Sequence, residues 1–284
     1  MLQPSRRLLL ATAATCLGLY AVFSLVVATR ALDASDVAVY NWVNRNAGET
    51  FLGVRWSDWT LVGAGTIATI AVGLAAFLAW RAGAARTAVV IVAFALLGGL
   101  LVTGFKDLHD RPYPGRGAVA GTSGNRTACA ELTRCDIILE RNATVYCAPG
   151  SRCDFHFGNE TERFNSSYIP ADISLFPDRP GRAYPSGHTM GATASWGVVL
   201  LLGTRALQRQ RGFDPWAVAL WAGIAFIGGI SRMPVGAHWW TDVVGAWLLG
   251  GAVVACAILA DDWWTDRRGA EETGPPDGMP PAGP

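Results

Sequence analysis

The chain has 284 residues, of which 51% are hydrophobic and 16% are charged, and its formal net charge is +1. This near-neutral charge gives no reason to expect a nucleic-acid partner. The charged residues are too few to cover the long apolar segments of the chain in a soluble protein, so we expect one polytopic membrane domain.

Six apolar segments have roughly the length needed to cross a bilayer. They are Leu8–Val27, Leu61–Trp80, Thr87–Phe105, Ser186–Gly203, Trp216–Ile230 and Trp239–Ala260. The sequence therefore predicts an all-α polytopic membrane protein with six transmembrane helices. The first segment follows Arg6 and Arg7 and also fits a signal peptide, but a retained span gives an even count with both termini on one side.

The arginines outside the spans predict the orientation. Those of both termini and of two short loops share one side of a six-span protein: Arg6, Arg7, Arg81, Arg86, Arg205, Arg209, Arg211, Arg267 and Arg268. The positive-inside rule makes that side the cytoplasmic face of the plasma membrane. Residues 1–260 then form the membrane domain, and residues 261–284, which are charged and then rich in proline and glycine, form a disordered cytoplasmic tail.

The loop Arg30–Asp58 would lie on the outer side, although it also carries arginines. Its mixture of apolar and polar residues predicts an amphipathic interfacial helix that ends in a turn at Gly48. A plain extracellular loop is the alternative.

The polar segment 106–185 is predicted to be a long outer loop between the third and fourth spans. It holds four cysteines and four N-x-S/T sequons, and the cysteines are Cys129, Cys135, Cys147 and Cys153. In an outward loop they predict two disulfides, with three possible pairings. A zinc site is the alternative, but it favours closer spacing than the two C-x5-C pairs provide.

Two stretches place a histidine where an apolar run meets a polar border: Pro185–His188 and Ser231–Asp242. In the second, His238 and Asp242 are four residues apart and share a face of any helix, so the carboxylate can hold the imidazole in one tautomer. Arg232 can reach the same place if the chain bends at Pro234 and Gly236. Histidine, arginine and carboxylate at a membrane edge indicate chemistry on an anion.

A third stretch begins at Lys106, which is the only lysine among 23 basic residues. A single lysine beside an apolar run indicates a position that needs a compact ammonium group, although a snorkelling interfacial lysine is the alternative. Arg111 follows five residues later.

Together the three stretches resemble the type 2 phosphatidic acid phosphatase superfamily, whose motifs are Lys-x6-Arg-Pro, Pro-Ser-Gly-His and Ser-Arg-x5-His-x3-Asp. The second and third motifs match at every defining position. The first motif departs, because Tyr113 stands where the family has arginine, while Arg111 retains an arginine two positions earlier. The resemblance extends from about Leu61 to Ala260.

This resemblance implies a metal-independent phosphatase without a cofactor, in which cationic side chains supply the positive charge. His238 would be the nucleophile oriented by Asp242, and His188 would protonate the leaving alcohol and then activate water. The phosphate-binding residues would be Lys106, Arg111, Ser186, Gly187 and Arg232. Tyr113 is expected to line the lipid entrance.

The expected substrate is a lipid phosphate or diphosphate monoester at the outer leaflet, and the residues do not rank phosphatidic acid, phosphatidylglycerol phosphate and polyprenyl diphosphate. A lipid phosphotransferase could use the same site. The change at Tyr113 also leaves open a catalytically impaired relative that acts as a binding or scaffold protein. A transporter or channel is disfavoured because the charges lie at the membrane edge rather than in mid-span.

Overall fold

The computed structural model describes residues 4–48, 50–109, 111, 114, 134–137, 143–147, 152–157, 160–165 and 182–272. Helices make up most of this part of the chain. In chain order they are α1 (Arg6–Ala28), α2 (Asp33–Asn46), α3 (Trp56–Trp59), α4 (Gly65–Arg81), α5 (Ala85–His109), α6 (Gly187–Gln208), α7 (Pro215–Ile230) and α8 (Trp240–Glu272). A short 3₁₀ turn, Thr60–Gly63, joins α3 to α4.

Local sequence explains where several of these helices begin. The Ser5 hydroxyl accepts a hydrogen bond of 3.2 Å from the Leu8 N–H at the start of α1. Pro215 occupies the first turn of α7, where its missing N–H costs nothing. Ser186 caps α6 by accepting from Thr189. Each helix start therefore satisfies or dispenses with an N–H that has no partner inside the helix.

Each predicted apolar segment coincides with a helix. Among the described residues, four helices are long and apolar enough to cross a membrane: α1, α5, α6 and the Trp240–Arg267 part of α8. The pair Trp56–Gly63 and Gly65–Arg81, bent by 43°, would add a fifth span. The apolar helix α7 has 16 residues, which is short for a crossing. The count of six crossings therefore stays a prediction.

The helix α6 lies at the centre of the bundle, where small residues allow close approach. A Cβ built on Gly197 would lie 2.4 Å from Val254 on α8, and one on Gly250 would lie 2.8 Å from Thr193 on α6. Around this contact, Val198 and Leu202 are fully buried. Such close packing of small residues is typical of helices in membranes. Two segments of α6, Gly191–Ser195 and Val198–Leu202, are π-helical.

The predicted all-α fold needs correction in the long segment between α5 and α6. Four strands form an antiparallel sheet in sequential order there: β3 (Arg134–Ile137), β4 (Ala143–Cys147), β5 (Arg152–Phe157) and β6 (Glu160–Asn165). The sequence of β5 alternates polar and apolar residues, which is the period of a strand. In the register of β4 and β5, Cys147 and Cys153 are partners. The predicted disulfides themselves depend on side chains outside the described part of the chain.

The loop between α1 and α4 contains the predicted helix. It is α2, and the expected turn follows at Gly48, which has a φ of +62°. A two-stranded ribbon comes next, with β1 (Thr50–Phe51) paired to β2 (Val54–Arg55). Side chains of α2 contact the end of the bundle that holds His238.

The last helix is longer than the predicted membrane span. It continues to Glu272, twelve residues into the predicted tail. Side chains at this end give the extension its partners, because Asp261 accepts from the Thr87 hydroxyl at 2.7 Å and Asp262 pairs with Arg205. A hydrogen bond and an ion pair to other helices therefore stabilise α8 beyond Ala260. The residues after Glu272 lie outside the described part of the chain.

Candidate active site

Backbone hydrogen bonds bring the three sequence motifs to one end of the bundle. The Ala183 N–H donates to the Arg111 carbonyl at 2.9 Å, which joins the first stretch to the second. The Ser186 N–H donates to the Asp242 carbonyl at 3.1 Å, which joins the second stretch to the third. Residues that are far apart in the sequence therefore meet without relying on side-chain contacts alone.

His238 and Asp242 form the pair that their spacing predicts. The His238 Nδ1 lies 3.2 Å from Asp242 Oδ2, and the same oxygen accepts from the Trp239 N–H at 3.0 Å. His238 is 3% exposed. Burial lowers the pKa of His238, and the bond to Asp242 opposes that shift in part. The neutral imidazole therefore directs Nδ1–H at the carboxylate and leaves Nε2 with a lone pair.

A tight loop places Arg232 next to His238. The Arg232 carbonyl accepts from the Ala237 N–H at 3.0 Å and from the His238 N–H at 3.3 Å. Gly236 has a φ of +65°, a conformation that favours glycine, so the expected bend is present. The half-buried Arg232 interacts electrostatically with both His238 and His188.

The start of α6 supplies the second histidine. Ser186 is fully buried, and its hydroxyl accepts from the Thr189 hydroxyl at 2.9 Å. Half-buried His188 follows in the first turn. A Cβ built on Gly187 would lie 3.9 Å from the Lys106 Nζ, so the ammonium lies directly over the helix start. Lys106 also interacts electrostatically with both histidines. Two cations and unpaired helix N–H groups at one place suit an anion.

The turn before α4 packs against the backbone of His188. A Cβ on Gly63 would lie 2.2 Å from the His188 carbonyl oxygen. In return, a Cβ on Gly191 would lie 2.8 Å from the Gly63 carbonyl oxygen. Only glycine at both positions allows these backbones to come so close, and this contact fixes the height of His188 in the bundle.

Arg111 has a different environment from the one that the phosphate-binding hypothesis requires. It is 5% exposed, and its guanidinium pairs with Asp36, with Asp33 at 3.2 Å and with Asp242 at 3.5 Å. It also donates to the Thr241 hydroxyl at 2.6 Å. These contacts place Arg111 behind the His238–Asp242 pair, among carboxylates, and give no support to a phosphate contact. Tyr113 lies outside the described residues.

The sequence interpretation missed Asp33 and Asp36 of α2. Both are buried, and Asp36 accepts hydrogen bonds from the Thr241 N–H at 3.2 Å and from its hydroxyl. Burial raises the pKa of Asp36 to about 6, against the effect of Arg111, so its carboxylate is ionised at neutral pH. A signal was present, because Asp33, Asp36, Tyr40 and Val43 follow one helical stripe. Two acids on a buried stripe indicate a buried cation.

An apolar cavity opens beside His188. It has a volume of about 720 Å³ and lies between α4, α5 and α6. Its wall is made of small and apolar residues, including Val72, Leu96, Val102, Met190 and Ala194, and it reaches Gly187 and His188. The arrangement therefore offers a cationic, histidine-bearing end and an apolar body.

Comparisons with known proteins agree with this arrangement. The chain matches the family model of the PAP2 superfamily over residues 86–266, which is more than half of its length. Among solved structures it is similar to a transmembrane PAP2-type phosphatidylglycerolphosphate phosphatase from Bacillus subtilis, with 14% sequence identity and a TM-score of 0.56. That likeness covers 90% of this chain and 96% of the other, and it shows a shared fold. No match was found among curated proteins.

The family match contains all three motif stretches, and the apolar helices give them a membrane setting. The resemblance inferred from the motifs is thus confirmed: this integral membrane protein belongs to the PAP2 superfamily.

Proposed function

We propose that the chain is a membrane phosphatase that hydrolyses a lipid phosphate or diphosphate monoester through a phosphohistidine at His238. The observation that carries the proposal is the meeting of His238–Asp242, His188, Lys106 and Arg232, with His188 also lining the apolar cavity. Membership of the PAP2 superfamily supports a phosphatase. The similar Bacillus subtilis protein, a phosphatidylglycerolphosphate phosphatase, supports a lipid substrate.

In the first step the phosphoryl group is transferred to His238. The Nε2 lone pair attacks phosphorus while the bond from phosphorus to the lipid oxygen breaks. His188 gives its proton to that oxygen, and the bound phosphate favours the protonated form of His188 because an anion stabilises an imidazolium. Lys106, Arg232 and the N–H groups at the start of α6 hold the charged phosphate oxygens. Asp242 stabilises the positive phosphohistidine.

In the second step water releases the phosphate. The neutral His188 takes a proton from water, and the water oxygen attacks phosphorus as the bond to Nε2 breaks. Inorganic phosphate leaves, and both histidines return to their starting states. The same intermediate would donate to a lipid alcohol in a phosphotransferase, so only the acceptor separates the two activities.

The apolar cavity suits the lipid part of the substrate. Its small residues leave room for acyl or prenyl chains between the helices, and its polar end meets the phosphate-binding groups. A soluble phosphate monoester would leave this surface exposed to water. We therefore expect phosphatidic acid, phosphatidylglycerol phosphate or a polyprenyl diphosphate to be turned over much better than its water-soluble headgroup alone.

We also propose six membrane crossings with the site at the outer face. On α5, Arg86 and Lys106 are separated by about 30 Å of helix, the thickness of the hydrocarbon core. The arginines predicted to be cytoplasmic meet acidic partners at the end away from the histidines, where Arg6 and Arg211 both pair with Asp266. The positive-inside rule then directs the histidine end outward. The sheet of β3–β6 would stand on that outer face.

A release assay over the lipid panel tests this function. Purified protein in detergent should release phosphate from at least one of the three lipids, and His238→Ala should release none. His188→Ala should lose roughly two to four orders of magnitude, the usual contribution of a general acid. His109→Ala is the matched control, because His109 lies at the end of α5 and has no proposed catalytic role. Normal turnover by His238→Ala would contradict the proposal, and phosphate transfer to added lipid alcohol without release would indicate a phosphotransferase.

A further inference from the structure

The helix α2 lies outside the three motifs and outside the matched family region, yet it packs on the active-site end. Tyr40 meets Trp239 with ring centroids 5.6 Å apart, and Val43 packs in a cluster with Met233 and Val243. The helix thus covers the loop that carries His238 and the start of α8. Its two buried acids, Asp33 and Asp36, face the same way as these apolar contacts.

Asp36 holds two groups of the site at once. It accepts from the Thr241 N–H, one of the first-turn donors of α8 that has no partner within its own helix. It also pairs with the guanidinium of Arg111, which in turn donates to the Thr241 hydroxyl. A carboxylate from α2 therefore caps the helix that bears Asp242, and the same carboxylate anchors the cation beside it.

The two oxygens of Asp242 have different partners. Oδ2 accepts from His238 and Trp239, whereas Oδ1 lies 3.5 Å from Arg111 Nη1, an ion-pair distance longer than a strong charged hydrogen bond. A guanidinium without other anions would be drawn onto Asp242 and would compete with His238 for the carboxylate. Asp33 and Asp36 hold Arg111 on its far side, so Asp242 stays directed at the histidine.

We infer that Asp36, supported by Asp33, is a positioning residue for the nucleophile: it holds Arg111 and Thr241 so that Asp242 keeps the Nδ1–H tautomer of His238. This role rests on the proposed function. It also gives Arg111 a role of its own, as the cation between α2 and the start of α8.

Asp36→Asn tests the inference with little change in shape. The asparagine oxygen can still accept from Thr241, but the ion pair with Arg111 is lost. We expect kcat to fall about ten- to a hundred-fold, the range seen when the outer partner of a metal-bound histidine is removed. KM and the inhibition constant for inorganic phosphate should stay unchanged, because Lys106 and Arg232 are untouched. Asp58→Asn, which removes an exposed partner of Arg55, is the matched control and should leave kcat unchanged.

Nitrogen-15 labelling of histidine gives a readout that does not depend on turnover. The chain has four histidines, so the spectrum is simple, and Asp242→Asn assigns the Nδ1–H signal of His238. We expect Asp36→Asn to shift or remove this signal and Asp58→Asn to leave it in place. If wild-type protein released no phosphate from any lipid, the proposed function would fail, while this signal would still decide the role of Asp36.

A double variant tests whether the two residues act together. If Asp36 works through Arg111, then Asp36→Asn combined with Arg111→Gln should lose no more kcat than Arg111→Gln alone. Arg111→Gln should also leave the inhibition constant for inorganic phosphate unchanged. The inference is overturned if Asp36→Asn keeps wild-type kcat, or if its loss of kcat matches a loss of folded protein while the His238 signal is unchanged. A large rise in the inorganic-phosphate inhibition constant of Arg111→Gln would also overturn it and restore the phosphate-binding role.

Discussion

The close contact between Gly63 and His188 predicts what happens when one methyl group is added at residue 63. A Cβ at residue 63 would lie 2.2 Å from the His188 carbonyl oxygen and 2.8 Å from its carbonyl carbon, and both atoms belong to backbone. Ordinary contact begins at 3.4 Å, so Gly63→Ala must push the turn and the start of α6 apart by about 1 Å. Gly63 does not have a positive φ, so the effect is steric rather than conformational.

The shift should damage both packing and chemistry. Overpacking of this kind costs about 1–3 kcal/mol of stability. A misplacement of about 1 Å at a catalytic group can cost about a hundred-fold in rate. We therefore expect Gly63→Ala to lower kcat by about that factor, through His188, and to lower the unfolding temperature in detergent by several degrees.

Gly104→Ala is the matched control. It lies on α5 two residues before Lys106, and a Cβ there meets nothing within 4 Å. Replacing glycine in a helix by alanine should stabilise the protein by up to about 1 kcal/mol. Phosphate release and thermal unfolding, measured side by side, compare the two variants. Wild-type kcat and stability in Gly63→Ala would refute the claim that this backbone contact sets the position of His188.

Three further predictions concern the loop, the metal requirement and the pH profile. Cys147 and Cys153 are partners in the antiparallel register, and the Cα spacing of such partners is one that a disulfide spans. We therefore expect mass spectrometry of unreduced peptides to show Cys147–Cys153 and Cys129–Cys135 bridges. Four free thiols in protein from its native membrane would contradict the outward loop. Activity should survive excess EDTA and be inhibited by vanadate, which mimics pentacoordinate phosphorus, whereas loss in EDTA with recovery in a divalent metal would oppose the proposed chemistry. Burial lowers the pKa of His238, so this histidine stays neutral to a lower pH than an ordinary histidine does. The acid limb of the pH profile of kcat/KM should therefore lie below pH 6.5. A limb above that pH, after correction for substrate ionisation, would indicate that His238 is protonated in the resting enzyme.

Short-range patterns in the sequence were enough to predict the helices and the contact between His238 and Asp242. All six apolar segments of the sequence coincide with observed helices, because helix formation in a membrane depends on length and hydropathy. The spacing of four between His238 and Asp242 predicted their hydrogen bond for the same local reason. The glycine at position 236 predicted the bend that places Arg232 next to His238.

The role of Arg111 could not be predicted in this way. Its partners Asp33 and Asp36 lie more than seventy residues away, and the charge of an arginine says nothing about which anion it meets. The motif position of Arg111 predicted a phosphate contact, whereas in the folded protein its guanidinium contacts the carboxylates of Asp33 and Asp36. The extension of α8 beyond Ala260 could not be predicted from local sequence either, because the residues that stabilise it, Thr87 and Arg205, lie on distant helices.

Detection of the covalent intermediate tests the central claim most directly. Protein mixed briefly with a phosphorus-32 lipid phosphate and quenched in alkali should carry label that is stable to base and labile to acid. Mass spectrometry should locate it on His238, and His238→Ala should carry none. Label that persists in His238→Ala, or turnover by wild-type protein without any labelled enzyme, would contradict a phosphohistidine at this residue.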